Sequence, residues 1–143
     1  MTPIKTYIDN NRERFLEELF ALMRIPSVSA KEENKPDMLR AAELLRTYLE
    51  KAGADRTDIF QTAGNPVIYG EKLVSKDLPT VLVYGHYDVQ AAEPFELWET
   101  PPFEPVIRDG KIWGRGADDD KGQLFMHVKA FELMNKTGIL SCN

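Results

Sequence analysis

The feature that most constrains this sequence is the run VLVY at residues 81–84, where four consecutive side chains are apolar. A strand of this kind has no polar face, so it is stable where other layers cover both of its sides. Two amphipathic helical patterns precede it, at residues 4–24 and 36–52, and each must bury its apolar face against another surface. The sequence therefore predicts an α/β fold, a mixed sheet flanked by helices, in which residues 80–84 form a central strand.

Proline and glycine predict where several of these elements begin and end. Pro26 ends the first helix, because the residue before a proline avoids the helical conformation. Pro36 suits the first turn of the second helix, and Gly53 is typical of the position just past its end. In the stretch VIRDGKIWG, Asp109 and Gly110 predict the two-residue turn of a β-hairpin.

Other segments predict a strand, a loop and a last helix. PVIYGEKL at residues 66–73 is rich in β-forming side chains and predicts a strand. Residues 91–105 are rich in proline and glutamate and predict a long exposed loop. Helical spacing predicts the last helix at residues 121–135. Its expected apolar face consists of Leu124, Val128 and Phe131.

The composition restricts the size, the partners and the location of the protein. The 143 residues give room for one domain, and 43 % hydrophobic residues are enough for a packed core. The net charge of −5 argues against nonspecific nucleic-acid binding, which needs a basic surface. No apolar run approaches the roughly 20 residues that cross a bilayer, and the charged N-terminus does not match a secretory signal. Cys142 is the single cysteine, so we expect a cytoplasmic protein without internal disulfides.

His86 and Asp88 follow the apolar run directly. In open α/β sheets, ligand sites lie beyond the carboxyl ends of central strands. Residues two apart on an extended chain point the same way, so both side chains can face one cavity. A metal-binding imidazole usually donates its other N–H to a carboxylate, which makes His86 a candidate ligand and Asp88 its partner. The alternative is a strand-end histidine in ordinary hydrogen bonds, with Asp88 in a turn.

Three aspartates, Asp118 to Asp120, stand between glycines and a lysine in WGRGADDDKGQ, just before the last predicted helix. Carboxylates stabilise the positive end of a helix, and Asp119 or Asp120 could cap it. The second interpretation is a cation site built from hard oxygen ligands. Gly114 and Gly116 favour this second interpretation, since they permit a close approach of the backbone.

The remaining polar and aromatic candidates have simpler explanations. Arg115 and Lys121 flank the aspartates and are expected to balance their charge. His127 is expected at the margin of the last helix in a structural contact. Trp98 and Trp113 are expected to be packing residues rather than platforms for a substrate.

Taken together, GHYDVQ and GRGADDDKG, which follows about thirty residues later, resemble the co-catalytic zinc metallopeptidases and amidohydrolases. This family includes carnosinase-type dipeptidases, glutamate carboxypeptidases, aminoacylases and succinyl-diaminopimelate desuccinylases. LMRIPSVS at residues 22–29 resembles the family's N-terminal signature, and HYDVQ is most similar to the dipeptidase branch. The resemblance covers about the first third of a family member. Residues 1–143 are therefore expected to be the N-terminal portion of a catalytic domain, truncated before its second half and without the lid and dimerisation domain.

The resemblance implies a role for each residue that matches the family's motifs. His86 would bind one of two zinc ions, Asp88 would be a catalytic residue that orients His86, and Asp119 would bridge the two ions. It also implies a cis peptide bond between Asp119 and Asp120. The implied activity is hydrolysis of a dipeptide bond by a metal-activated water. The alternatives are deacylation of N-acyl amino acids in the same family and a non-catalytic α/β interaction module.

A count of ligands sets an expectation for this chain. Two zinc ions need roughly eight coordination positions, and bridging by Asp119 and by a water would fill about half of them. His86 fills one more, and the sequence stops at GILSCN, before the Glu-Glu pair that supplies the family's general base. We therefore expect the chain to be inactive alone and to hold zinc partially or not at all. Uncovered strand edges are expected to cause self-association.

Overall fold

The computed structural model describes residues 3–143, which form helices and small antiparallel sheets. In chain order the elements are α1 (Pro3–Met23), α2 (Lys35–Ala52), β1 (Arg56–Phe60), β2 (Val67–Glu71), β3 (Val106–Arg108), β4 (Lys111–Trp113) and α3 (Lys121–Thr137). Short 3-10 helices lie at Glu32–Asn34 and Phe95–Leu97. The predicted α/β class is confirmed. None of the helices within residues 3–143 is long and apolar enough to cross a membrane.

The helix ends follow the local signals in the sequence. Pro36 lies in the first turn of α2, and Gly53 ends that helix in the left-handed conformation with φ of 101°. The Gly53 N–H donates to the carbonyl oxygens of Leu49 at 3.2 Å and Glu50 at 3.0 Å, which satisfies acceptors that a helix end leaves free. Gly138 ends α3 in the same way with φ of 71°. The predicted ends of these helices agree with the structure to within two residues.

The core lies where α3 packs against both α1 and α2. Phe125 is buried there, and its ring meets the Tyr48 ring edge-on at 5.8 Å between centroids. The predicted apolar face of α3 was partly wrong, because Leu124 is only half-buried while Phe125 and the charged Lys129 are buried. Because α3 packs against two helices, its buried face is wider than predicted and is centred on different residues. The core residues are Leu19, Leu22, Met23, Ile25, Ala41, Leu45, Tyr48, Phe125 and Val128.

Two antiparallel strand pairs accompany the helices. β1 pairs with β2, and this pair contacts α2; β2 confirms the strand predicted at residues 66–73, while β1 was not predicted. β3 pairs with β4 through a turn in which Asp109 and Gly110 have φ of 53° and 72°, as a two-residue hairpin turn requires. The predicted hairpin is confirmed.

The central strand predicted at residues 80–84 was wrong for the chain as described. Leu82 is 89 % exposed and Tyr84 is 85 % exposed, and the segment is assigned to no strand. Near its start, the Val81 N–H donates to the Asn143 carbonyl oxygen at 2.8 Å. Within residues 3–143, no named strand pairs with this segment, and its apolar side chains are exposed to solvent.

Candidate functional site

The three residues predicted for the site lie in one cluster. His86 Nδ1 is 2.9 Å from Asp88 Oδ1, and His86 Nε2 is 3.0 Å from Asp119 Oδ1. Asp119 is 33 positions away from His86 in the sequence, so the fold brings the two motifs together. The His86 side chain is 42 % exposed and that of Asp119 is 75 % exposed, which leaves the cluster open to solvent. Their roles as metal ligands stay predictions.

The carboxylates change the protonation of His86. Partial burial lowers the pKa of its imidazole, but hydrogen bonds to Asp88 and Asp119 and the negative charges of Asp88 and Asp120 outweigh burial and raise the pKa above its usual value of 6.5. A metal ion at a ring nitrogen requires that nitrogen to be free of its proton. Protons and a metal ion would therefore compete for His86.

Asp120 holds the backbone of this cluster. Its Oδ2 accepts a hydrogen bond from the His86 backbone N–H at 2.9 Å. Asp120 occupies the N-cap position of α3, but its side chain makes no capping hydrogen bond, so the capping role proposed for it was wrong. The approach is close, because a Cβ added at Gly85 would lie 3.1 Å from Asp120 Oδ2 and 2.8 Å from Leu124 Cδ1. The Asp119–Asp120 peptide bond is cis, as predicted.

Lys121 directly follows Asp120 in the chain, and its side chain is fully buried. Its Nζ donates to the carbonyl oxygens of Leu22 at 3.0 Å and Ile25 at 2.6 Å, where α1 ends. Burial lowers the pKa of this ammonium group to about 7. The prediction that Lys121 balances the charge of the aspartate run was wrong, because its ammonium hydrogen-bonds to backbone carbonyls instead.

Arg115 and Trp98 lie in loops beside the cluster, and Trp113 is the last residue of β4. The Arg115 guanidinium donates to the Ala91 carbonyl at 3.1 Å and lies 5.0 Å from the centre of the Trp98 ring. Arg108 lies 4.4 Å from the centre of the Trp113 ring. The packing role of the two tryptophans stays a prediction, since Trp113 is 43 % exposed and Trp98 is half-buried. Arg115 hydrogen-bonds to the Ala91 carbonyl rather than to the aspartates, so its predicted role was wrong. His127, expected in a structural contact, is exposed on α3.

The segment after α1 docks directly on the residues around Asp88. Ser27 is fully buried, its Oγ donates to the Tyr87 carbonyl at 2.7 Å, and its own carbonyl accepts from the Val89 N–H at 2.9 Å. Ser29 Oγ donates to Asp88 Oδ2. The sequence signal for this contact was the stretch LMRIPSVS, whose serines had been assigned no role.

The donor atoms fit zinc in kind but not in number. Imidazole nitrogen and carboxylate oxygen are ordinary zinc ligands, and His86 Nε2 and Asp119 Oδ1 face each other. Within residues 3–143, however, no group of three or more His, Cys, Asp or Glu side chains is arranged to hold a metal ion. The described residues therefore include donors of the kind that zinc prefers, but they do not form a complete metal site.

Comparisons with known proteins agree with this chemistry. A sequence model described as peptidase family M20/M25/M40 matches residues 82–141. Cysteinylglycine-S-conjugate dipeptidase of Corynebacterium striatum is 36 % identical over 128 residues, which are 90 % of this chain and 28 % of that protein. N-formyl-4-amino-5-aminomethyl-2-methylpyrimidine deformylase of Halalkalibacterium halodurans is 35 % identical over 93 % of this chain and 31 % of that protein.

A solved structure is similar in fold as well. The structure of the dipeptidase Dug1p from Saccharomyces cerevisiae superimposes with a TM-score of 0.86 at 29 % identity. The match covers 96 % of this chain and 31 % of the yeast chain. The chain thus spans less than a third of the length of each of these three proteins.

Proposed function

Because this chain belongs to the peptidase family M20/M25/M40, we propose that it supplies part of the active site of a zinc-dependent dipeptidase. The observation that carries the proposal is the position of His86, whose two ring nitrogens each face a carboxylate. The similarity to a dipeptidase of Corynebacterium striatum supports a dipeptide as the substrate.

In this proposal, His86 Nε2 and the Asp119 carboxylate would hold zinc, and Asp119 would bridge two ions. Zinc, when bound, polarises the scissile carbonyl and lowers the pKa of a water. With zinc bound, the Nδ1–H of His86 would donate to Asp88, which would leave Nε2 without a proton and make the ring a more basic ligand. The Asp120 carboxylate keeps the His86 backbone in place by accepting a hydrogen bond from the His86 N–H.

The chain of 143 residues is proposed to be inactive alone. Hydrolysis needs a group that carries a proton from water to the leaving amine, usually a glutamate or histidine in reach of the site. The hydrogen-bonding partners of His86 in the described chain are aspartates, and each of them already has a positioning or ligand role here.

We expect the chain purified without chelator to bind at most one zinc ion and to leave a panel of simple dipeptides intact. A version extended beyond Asn143 in its own reading frame should hydrolyse dipeptides and lose that activity with chelator or with His86→Ala. Elemental analysis and amine release measure the two effects. Chelator-sensitive turnover by the 143-residue chain would contradict the proposed inactivity, and an extended protein without hydrolytic activity would contradict the function.

A second candidate is hydrolysis of an N-formyl or N-acyl amide. It is favoured by the 35 % identity to the deformylase of Halalkalibacterium halodurans. Both reactions break an amide bond with the same metal chemistry, so the cluster around His86 does not separate them. The ratio of kcat/KM for N-acyl amino acids to that for dipeptides, measured on the extended protein, decides between them. A chain that binds no zinc and acquires no activity on extension would instead favour a non-catalytic interaction module.

We further propose that the isolated chain self-associates through residues 81–84. This segment presents exposed apolar side chains, and no named strand of residues 3–143 pairs with it, so another copy of the chain can pair there. Light scattering should give a mass that rises with concentration. The double substitution of Leu82→Lys and Tyr84→Lys should lower the measured mass to that of the monomer. Leu97→Lys, at a leucine that is 76 % exposed elsewhere in the chain, is the control and should leave association unchanged. A monodisperse monomer at high concentration would refute this proposal.

A further inference from the structure

Ser29 is linked to the imidazole of the candidate site by two hydrogen bonds, with the Asp88 carboxylate between them. Its Oγ donates to Asp88 Oδ2, while Asp88 Oδ1 lies 2.9 Å from His86 Nδ1. We propose that Ser29 is a positioning residue, whose hydroxyl fixes the Asp88 carboxylate and thereby holds the His86 ring towards Asp119. The inference deepens the proposed function and rests on it, because ring orientation matters when Nε2 is a metal ligand.

A carboxylate bound at one oxygen alone is poorly fixed. The last torsion of aspartate is broad, so the plane of its carboxylate rotates unless both oxygens have partners. Asp88 is 34 % exposed, so water would otherwise compete for Oδ2. With Ser29 on one oxygen and His86 on the other, the plane is fixed, and so is the direction in which the imidazole N–H points.

The position of Ser29 is set by contacts other than its own hydroxyl. Val28 and Val89 form a parallel bridge next to it, and the buried Ser27 hydrogen-bonds on both sides to the chain around Asp88. Four residues before Ser29 in the chain, the Ile25 carbonyl accepts a hydrogen bond from Lys121 Nζ. Ser29 itself is exposed. Removal of its hydroxyl should therefore leave the segment in place and remove only the hydrogen bond to the Asp88 carboxylate.

The test uses the metal-free 143-residue chain with ¹⁵N-labelled histidine. The chain has two histidines, so His127, exposed on α3, is an internal control. We expect a slowly exchanging Nδ1–H signal from His86 in the wild type, loss of that signal in Ser29→Ala, and its return in Ser29→Thr, which keeps a hydroxyl. The His127 signals should be the same in all three proteins.

Titration with zinc alone gives a second readout. Loss of a partner that orients a ligand typically weakens metal binding by 10–100-fold, so Ser29→Ala should weaken zinc binding by about tenfold. Ser29→Thr should bind about as well as the wild type, and circular dichroism should give all three the same unfolding midpoint.

The outcomes separate the inference from the proposed function. A wild-type His86 without a protected Nδ1–H, or a Ser29→Ala variant whose His86 signal matches the wild type, overturns the role of Ser29. If zinc still binds in that case, the proposed function stands. If the His86 signal depends on Ser29 while zinc does not bind the wild type, the positioning role is supported and the metal-site proposal is contradicted.

Discussion

Replacing Glu132 by glutamine is expected to lower the free energy of unfolding at pH 7 by about 3–5 kcal/mol, the usual cost of breaking a buried ion pair. The Glu132 side chain is 4 % exposed and accepts hydrogen bonds from Arg14, from Lys129 Nζ at 2.7 Å and from Tyr7 Oη at 2.8 Å. Lys129 is also buried and keeps a second partner in Glu18 at 2.5 Å. The substitution removes one of the two negative charges that face the Lys129 ammonium.

The loss should depend on pH. Burial raises the pKa of Glu132, but hydrogen bonds from Arg14, Lys129 and Tyr7 outweigh it and lower the pKa from 4.5 to about 2. Because the folded pKa lies below the unfolded one, the ionised carboxylate stabilises the fold fully above about pH 4.5. This contribution disappears as the pH falls towards 2, so Glu132→Gln should cost progressively less in acid.

Urea unfolding at pH 7, 5 and 3 measures this difference. Glu13→Gln, at an exposed glutamate on α1, is the matched control and should change stability by no more than about 0.5 kcal/mol at each pH. The same loss for Glu132→Gln at pH 7 and pH 3 would contradict the assignment of the stabilisation to the ionised carboxylate.

Replacing Lys121 by methionine is expected to lower the free energy of unfolding by about 3 kcal/mol. Methionine is close to lysine in size, so packing is largely kept, but it has no donor for the carbonyl oxygens of Leu22 and Ile25. Each buried acceptor without a partner costs about 1–3 kcal/mol. Relief from burying the Lys121 ammonium offsets part of this cost.

Denaturant unfolding measures the loss, and amide exchange locates it. Lys136→Met, at an exposed lysine on the same helix, should change stability by no more than about 0.5 kcal/mol. The Lys121 variant should also exchange faster at Ser27 and Val89, because the end of α1 loses its tie to α3. A loss below about 1 kcal/mol would mean that water satisfies the two carbonyls and that Lys121 is not the main support of this segment.

Several features could be predicted because their causes are local. Gly53 and Gly138 end helices through a backbone conformation that glycine adopts easily, and Asp109-Gly110 forms a hairpin turn for the same reason. The proximity of His86 to Asp88 follows from their spacing on one extended segment. The closeness of Asp119 to His86 was expected from family resemblance rather than from any local signal.

Other features could not be predicted because distant partners decide them. Lys121 was assigned to the neighbouring aspartates, yet its ammonium binds carbonyls almost a hundred positions earlier in the chain. Residues 80–84 have the composition of a covered strand, but exposure depends on what packs against them, and no named strand pairs with them within residues 3–143.

The sequence by itself determined the helix ends, the hairpin turn, the α/β class and the two motifs that carry the candidate chemistry, since these depend on neighbouring residues. Only the tertiary structure decided that Ser29 supports Asp88, that Asp120 holds the His86 backbone and that Lys121 ties α3 to α1. Each of these contacts joins residues more than thirty positions apart. Such contacts depend on how the helices pack, and helical spacing alone does not encode which polar side chain will find which partner.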